Sequence, residues 1–306
     1  MALSRNHAGA LFMMVSMAGF TVNDALVKLA STEMNMGQVM LVRGFFASVQ
    51  IAALAWHQGA LRSPRRLLHP MVILRSASEL GATIFFLIAL AHLPIGNISA
   101  ILQALPLVVT MGAALFLAEP VGWRRWLSIG VGFIGVLIII RPGFEGFSIY
   151  SVSVLVSVLC GTIRDFSTRA VPAEVPTLLV SVMTAVIVTL ASAALVHPLG
   201  GWTPMATWET GALAVAAGLL LVGYQFIIMA MRTGDISFIA PFRYTALLWA
   251  LLLGYLIFND IPDLPMIVGS AVIVASGIYM LYREQVVGKR LPIANSTSPG
   301  MAPEGL

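Results

Sequence analysis

Charged side chains stand inside long apolar runs of this sequence. Glu79 follows Arg75 by four residues, so that on a helix both lie on one face and can pair. An ionised side chain at the centre of a membrane helix costs about 2.5–3.5 kcal/mol on insertion scales and is therefore a functional candidate. Glu79 can be a carboxylate that couples proton movement to transport, or it can form a static pair with Arg75 that holds two helices together. The sequence leaves both interpretations open.

Two arginines lie at similar depths in opposite halves of the chain. Arg43 is about seven residues into one apolar run, and Arg243 is about eight residues into another. A guanidinium group can clamp an anionic or carbonyl-bearing solute through its planar fork of donors. The alternative is a bridge from each arginine to backbone carbonyls or to a neighbouring helix.

Two acid–base pairs occur at a spacing of four residues. Asp24 precedes Lys28, and Asp165 precedes Arg169. Residues at this spacing meet on one helix face, so we expect salt bridges at gates or at helix ends. A protein that opens alternately to the two sides of a membrane must break such bridges in one of its states.

Neutral polar and aromatic side chains complete the set of candidates. They can line a cavity for a flat or aromatic solute, or they can pack and hydrogen-bond between helices. The candidate substrate-binding residues are Arg43, Glu79, Gln103, Tyr224, Gln225, Arg243, Tyr244 and Trp249. The candidate coupling or gate residues are Asp24, Lys28, Arg75, Asp165 and Arg169.

Composition indicates which elements must hold these side chains. Apolar residues make up 59% of the chain and charged residues only 10%, whereas an average soluble domain carries about 25% charged residues. The mean hydropathy is +0.94. These values exclude a soluble enzyme and a disordered chain, and the long continuous apolar runs exclude an outer-membrane barrel. The remaining class is an all-α integral membrane protein.

Ten apolar runs are long enough to cross a bilayer as helices. In chain order they are Ala8–Ala30, Met36–His57, Met71–Ala91, Ile95–Leu117, Trp123–Arg141, Tyr150–Thr168, Pro176–His197, Trp208–Met231, Asp235–Phe258 and Asp263–Tyr282. Residues 283–306 are rich in Pro, Ser and Gly, which predicts a disordered cytoplasmic tail. Basic residues concentrate at one end of the predicted bundle, and this asymmetry predicts that both termini are cytoplasmic.

A shift of 141 residues aligns two halves of the chain. The matching pairs are Asp24 with Asp165, Lys28 with Arg169, Glu119 with Asp260, Ser128 with Gly269, and Gly135 with Ser276. Each half contains five runs, so the second half enters the membrane from the opposite side. We therefore predict two inverted five-helix repeats, at residues 8–141 and 150–282.

Several motifs resemble those of the drug/metabolite transporter superfamily, specifically its EamA-type members. In the first half they are Leu93-Pro94, Pro106, the run from Glu119 to Trp126, the run from Gly132 to Val136, and Arg141-Pro142-Gly143. In the second half they are the runs from Gly234 to Ser237 and from Pro241 to Tyr244, then Pro262-Asp263, Gly269 and the run from Ser276 to Tyr279.

The resemblance implies a ten-helix carrier of the bacterial inner membrane. In that fold the fifth and tenth helices brace the bundle, and the other eight line a central cavity. Members carry amino acids, sugars, nucleotide derivatives, S-adenosylmethionine or vitamins, some inward and some outward. The chain is similar to alpha-proteobacterial forms that resemble riboflavin importers. The expected function is therefore alternating-access transport of a vitamin such as riboflavin or of an amino-acid- or nucleotide-like solute, with export of an amino acid, metabolite or drug as the alternative.

Other classes of function have less support in the sequence. The five histidines fall at span ends or in loops, and the sequence contains no nucleophile motif, zinc-protease motif or phosphate-binding glycine loop. The single cysteine, Cys160, permits no internal disulfide. We expect no enzyme activity, no cofactor and no metal. The expected partners are a small-molecule solute and the lipid bilayer, without nucleic acid, and a homodimer stays open. A structural or sensory membrane protein is the alternative from a different class.

Overall fold

The structure is a computed structural model that describes residues 5–59, 69–117, 121–143, 147–172, 174–233 and 236–286. The predicted tail lies outside the described residues from residue 287 onward, and so does Glu119 of the predicted repeat.

The described residues form ten helices that are long and apolar enough to cross a membrane. The helices are α1 (Arg5–Ala30), α2 (Met36–His57), α3 (Pro70–His92), α4 (Ile95–Leu102 and Leu105–Phe116), α5 (Trp123–Ile140), α6 (Ile149–Arg169), α7 (Thr177–Val196), α8 (Thr207–Thr233), α9 (Ile236–Ile239, a 3₁₀ segment Ala240–Tyr244, and Thr245–Phe258) and α10 (Leu264–Val286). The prediction of an all-α integral membrane protein with ten transmembrane helices is confirmed.

Two of the predicted helices are interrupted near their middle. In α4 the break falls at Gln103 and Ala104, just before Pro106, and in α9 the backbone tightens into the 3₁₀ segment that contains Pro241. Proline has no amide N–H, and its ring clashes with the carbonyl four residues earlier. Both runs cross the membrane as predicted, and the breaks within them are features that the sequence analysis did not predict.

The bundle has a near end, where α1 begins, and a far end, where α1 finishes. At the far end, the side chain of Asn35 caps α2 by accepting a hydrogen bond from the amide of Gln38 at 3.0 Å. The amide side chain of Gln38 in turn binds the backbone of Thr203 in both directions, at 2.8 and 2.9 Å. These bonds tie the start of α2 to the segment that precedes α8.

Two buried hydrogen bonds repeat with the offset found in the sequence. The hydroxyl of Ser16 donates to the carbonyl of Gly223 at 2.7 Å, and the hydroxyl of Ser157 donates to the carbonyl of Ala82 at 2.8 Å. Both the donors and the acceptors of these bonds lie 141 positions apart in the chain. The two bonds are therefore copies of each other, related by a two-fold axis between the halves.

Helix contacts follow the same symmetry. The contact of α1 with α8 corresponds to that of α6 with α3, and the contact of α2 with α8 corresponds to that of α7 with α3. The helices α2 and α7 pack against each other across the axis, where the hydroxyls of Ser48 and Thr189, also 141 positions apart, lie 3.1 Å from each other. The halves are thus interleaved rather than side by side.

The fifth and tenth helices form a separate pair that also crosses the axis. Gly135 of α5 and Gly269 of α10 face each other so closely that an added Cβ at Gly135 would lie 2.8 Å from the carbonyl oxygen of Gly269. Small residues permit such close helix contact in a bilayer. Gly130, on the same helix, meets nothing within 4 Å.

An ion pair joins these two helices at the far end. Arg141, which follows α5, pairs with Asp263, which precedes α10. The second oxygen of Asp263 accepts a hydrogen bond from the amide of Met266 at 2.9 Å. Partial desolvation raises the pKa of Asp263, but the hydrogen bonds from Arg141 and Met266 outweigh it and hold that pKa below its ordinary value.

The lowered pKa of Asp263 sets the expected pH dependence. The pair stabilises the fold above about pH 4, the ordinary aspartate value, and this stabilisation is lost as the pH falls through the lower folded-state pKa. We expect Asp263→Asn to flatten the acid limb of a plot of melting temperature against pH in detergent. Its effect at neutral pH should be small, because the carboxylate is 49% exposed and such pairs contribute little. Superimposable acid limbs for the two proteins would contradict this prediction.

Candidate functional site

Two cavities meet in the middle of the bundle. The central cavity has a volume of about 160 Å³ and is lined by α1, α2, α3, α4, α6, α8 and α9. The second cavity has a volume of about 150 Å³ and lies between α2, α3, α7 and α8. Together the two linings draw on eight helices and include no residue of α5 or α10. This division of the helices agrees with what the family resemblance implies.

A shared wall separates the two cavities. Five residues line both cavities: Arg43, Glu79, Thr83, Leu220 and Tyr224. Glu79 and Leu220 are 141 positions apart, as are Thr83 and Tyr224. The wall therefore lies at the two-fold axis, yet its equivalent positions carry different chemistry.

An ion network lies on the near side of the wall. Arg164 of α6 is fully buried and donates to Asp165 at 2.6 and 2.9 Å and to Glu79 of α3 at 3.1 Å. Arg75 of α3 is also buried, and it donates to the hydroxyls of Thr168 at 3.1 Å and Thr184 at 2.6 Å. The network thus connects α3, α6 and α7.

Asp24 and Arg43 form the corresponding charged group toward the far end. The carboxylate of Asp24 accepts a hydrogen bond from the side chain of Asn23 at 2.9 Å, and its charge attracts that of Arg43. Asn23 and Arg164 are equivalent positions in the two halves. Each donates to the aspartate that follows it, so the same local contact uses an amide in one half and a guanidinium in the other.

The pairs predicted at a spacing of four residues are replaced by other contacts. Asp165 pairs with its neighbour Arg164, while Arg169 is exposed at the end of α6. The carboxylate of Glu79 takes Arg164 as its ion-pair partner. A helix turn brings residues at this spacing to one face, but Asp165 is reached by its sequence neighbour and Glu79 by an arginine of the adjacent helix α6.

Lys28 contacts groups other than Asp24, its predicted partner. Its ammonium donates to the carbonyl of Leu93, between α3 and α4, and lies 5.1 Å from the ring centroid of Phe258 in α9. Lys28 therefore connects three parts of the far end.

Five of the candidate substrate-binding residues line the central cavity. They are Arg43, Glu79, Gln103, Tyr224 and Arg243. The amide of Gln103, at the break in α4, donates to the carbonyl of Arg243, at the break in α9, over 3.5 Å. The two interrupted helices therefore meet at the cavity.

The other three candidates lie elsewhere. Gln225 lines the second cavity. The hydroxyl of Tyr244 lies against Gly277 of α10, and Trp249 packs against an apolar cluster that includes Met13 and Ile227. Neither Tyr244 nor Trp249 is among the described residues that line the two cavities.

Sequence reasoning left three residues off the candidate set: Arg164, Phe20 and Phe86. Arg164 is the centre of the ion network, and its signal was a second charge beside Asp165 within an apolar run. The aromatic face of the cavity includes Phe20, whose ring packs edge-on to Tyr224 with centroids 5.3 Å apart, and Phe86. Phenylalanines are too common in membrane helices for sequence alone to mark these two.

Opposite charges facing one cavity indicate its chemistry. Asp24 and Glu79 present carboxylates, whereas Arg43 and Arg243 present guanidinium groups. A solute that carries both signs of charge can meet both kinds of group, and the aromatic rings supply a surface for its apolar part.

Comparison with known proteins identifies the class. The model of the EamA-like transporter family matches residues 7–141. The resemblance to EamA-type transporters predicted from the motifs is thereby confirmed.

Similar proteins extend over nearly the whole chain. The chain is 25% identical to an S-adenosylmethionine uptake transporter of Rickettsia conorii, over 93% of this chain and 96% of that protein. It is 26% identical to a pseudopaline exporter of Pseudomonas aeruginosa, over 91% of this chain and 97% of that protein. It is 27% identical to a riboflavin transporter of Vibrio cholerae, over 92% of this chain and 95% of that protein.

A solved crystal structure shares the fold. It superposes with a TM-score of 0.62 at 18% identity, over 92% of this chain and 99% of that one. Family, relatives and ten spans agree that the chain is a multi-pass membrane protein and a small-metabolite transporter. The names of the relatives indicate a transporter rather than an enzyme.

Proposed function

We propose that the chain is a secondary transporter that moves a zwitterionic, amino-acid-bearing metabolite across the inner membrane by alternating access. The observation that supports this most is the central cavity, in which two carboxylates and two guanidinium groups face one another where the breaks of α4 and α9 meet. Interrupted helices at the interface of inverted repeats are typical of transporter binding sites.

The roles of the charged groups follow from their places. Asp24 receives the ammonium group of the solute, and Arg43 and Arg243 receive its carboxylate. Glu79, Arg164 and Asp165 hold the near end together in the present state, and this network separates when the near end opens. Lys28 performs the corresponding task at the far end through Leu93 and Phe258. In this proposal the side chains bind the solute and exchange ion-pair partners, and no covalent bond forms or breaks.

The near end is the cytoplasmic end in this proposal. Basic residues described at or beyond the near ends of the helices are Arg5, Arg124, Arg125, Arg169 and Arg283. At the far end the described basic residues are Lys28, within α1, and Arg141, which is already paired with Asp263. Loops rich in Lys and Arg stay on the cytoplasmic side during insertion.

A neutral flat vitamin such as riboflavin is the second candidate solute. The edge-on pair of Phe20 and Tyr224 favours it, and one group of relatives carries riboflavin in its name. The charged lining favours the zwitterion, because a zwitterion offers groups of opposite charge to both the carboxylates and the guanidinium groups of the cavity, whereas a neutral solute offers none.

Solute counterflow in proteoliposomes tests the proposal. Vesicles are loaded with unlabelled leucine, S-adenosylmethionine or riboflavin, and entry of the matching label is followed. Zwitterion exchange supports the proposal, and exchange of riboflavin alone transfers support to the second candidate. An ion current that needs no solute would overturn the transporter mechanism in favour of a channel.

Asp24→Asn should weaken zwitterion binding about 10- to 100-fold in apparent affinity. The change keeps the shape of the side chain and removes the charge that pairs with the ammonium group, and a hydrogen bond to a charged group contributes about 1.5–3 kcal/mol. The measurement is the concentration dependence of counterflow. Leu190→Ala, a truncation of a side chain that is 66% exposed on α7, is the control and should leave the affinity unchanged. Unchanged affinity in Asp24→Asn would show that this carboxylate does not bind the solute.

A further inference from the structure

The second cavity differs in character from the central one. Beyond the shared wall its lining is mainly aliphatic and includes Met40, Ile51, Leu54, Leu178, Val188 and Leu221. Its charged groups, Arg43, Arg75 and Glu79, belong to the wall or to the ion network beside it. The cavity is therefore charged at one end and apolar along its length.

The amide side chains of Gln50 and Gln225 add polar groups to the otherwise apolar part of the second cavity. The carbonyl oxygen of Gln50 is buried and accepts no hydrogen bond from any part of the chain that the structure describes. Gln225 lines the same cavity and is exposed, although it lies within the membrane span of α8. A buried carbonyl oxygen without a donor costs free energy, and an occupant that carries an N–H or O–H group would satisfy it.

The two cavities adjoin through the same five residues. A molecule whose charged head meets Arg43 or Glu79 in the wall can extend its apolar part into the second cavity past Thr83 or Tyr224. Because the wall residues serve both cavities, one amphipathic molecule suits the pair better than two separate ligands.

We propose that the second cavity is a subsite for the apolar portion of the transported zwitterion, and that Gln50 accepts a hydrogen bond from a donor on that portion. This inference rests on the proposed function and names its substrate class: an amphipathic zwitterion with a sizeable apolar group that carries one hydrogen-bond donor. Selectivity among zwitterions then arises in the second cavity, and recognition of the charges arises in the central one.

A series of amino acids tests the subsite by competition in counterflow. From alanine to norleucine, apparent affinity should rise about two- to fourfold for each buried methylene group. Tyrosine should bind more tightly than phenylalanine because its hydroxyl can donate to Gln50. Equal affinity for alanine and norleucine would overturn the subsite while leaving zwitterion transport intact. Failure of every zwitterion to compete or exchange would instead overturn the proposed function itself.

A cavity-filling variant locates the effect. Ala185 of α7 lines the second cavity, so Ala185→Phe should reduce the affinity for norleucine to that for alanine and leave alanine unchanged. Val186→Phe is the matched control, because the neighbouring side chain is 40% exposed on the outside of the bundle. Equal losses for alanine and norleucine in Ala185→Phe, at an unchanged melting temperature, would place the apolar group elsewhere.

Gln50→Leu keeps the proposal testable if Ala185→Phe fails to fold. It replaces an amide by an apolar group of similar size, so it should abolish the preference for tyrosine over phenylalanine and preserve the rise from alanine to norleucine. A preference for tyrosine that survives in Gln50→Leu would overturn the assigned hydrogen bond.

Discussion

Arg164→Met is expected to destabilise the protein more than any other single truncation at the site. The guanidinium of Arg164 is the shared donor to Asp165 and Glu79, and its removal leaves the buried carboxylate of Asp165 and the partly buried carboxylate of Glu79 without this cation. Breaking a buried ion pair by removing one partner costs about 3–5 kcal/mol. The measurement is the melting temperature in detergent, together with the yield of monodisperse protein after extraction.

Arg169→Met provides the matched control for Arg164→Met. It makes the same change five residues later in α6, at an exposed position, and should have a small effect. Adding Glu79→Gln and Asp165→Asn to Arg164→Met should recover part of the lost stability, because the neutral side chains no longer need a cation. Equal losses at Arg164 and Arg169 would show that the network does not stabilise the fold.

Gly135→Leu is expected to disrupt the pairing of α5 with α10. The new Cβ would meet the carbonyl oxygen of Gly269 at 2.8 Å and the backbone nitrogen of Ile273 at 3.1 Å, and backbone atoms cannot yield as a flexible side chain can. Overpacking of this kind costs about 1–3 kcal/mol, and more where backbone must move. We expect a clearly lower melting temperature and loss of counterflow.

Gly130→Leu separates steric conflict from the general effect of a larger residue. Gly130 lies on the same helix, is exposed, and has open space where its Cβ would be. The change should be neutral or slightly stabilising, because leucine favours the helix more than glycine does. If both variants are neutral, the close contact of α5 with α10 is not required for the fold.

The fold follows closely from the sequence because one physical quantity dominates it. Each helix must be long and apolar enough to cross the bilayer, so hydropathy located α2 at the same residues as the structure and the other spans to within a few residues. The breaks in α4 and α9 are carried by single prolines, Pro106 and Pro241. These residues hardly change the hydropathy of a window, although they interrupt the hydrogen bonds of the helix.

The site was less predictable because hydropathy does not say which way a helix is turned. Arg43, Glu79 and Arg243 were found as charges inside apolar runs, where a charge must face the interior. Tyr244 and Trp249 are tolerated on several faces, and the structure turns them toward other helices. The partners of the charges depend on which helices are neighbours, and that arrangement is a tertiary property.

The paired hydrogen bonds of Ser16 and Ser157 bear on the energetics of the proposed cycle. If the two halves were chemically identical, the state open to one side would be related to the state open to the other by the two-fold rotation. The two states would then have equal free energy, and the empty protein would populate them equally. Any resting preference must then come from positions where the repeats differ, such as Asn23 against Arg164 or Glu79 against Leu220. A difference of about 1.4 kcal/mol at such a position already gives a tenfold bias. The resting orientation of the empty carrier is thus set by the positions at which the two repeats have diverged.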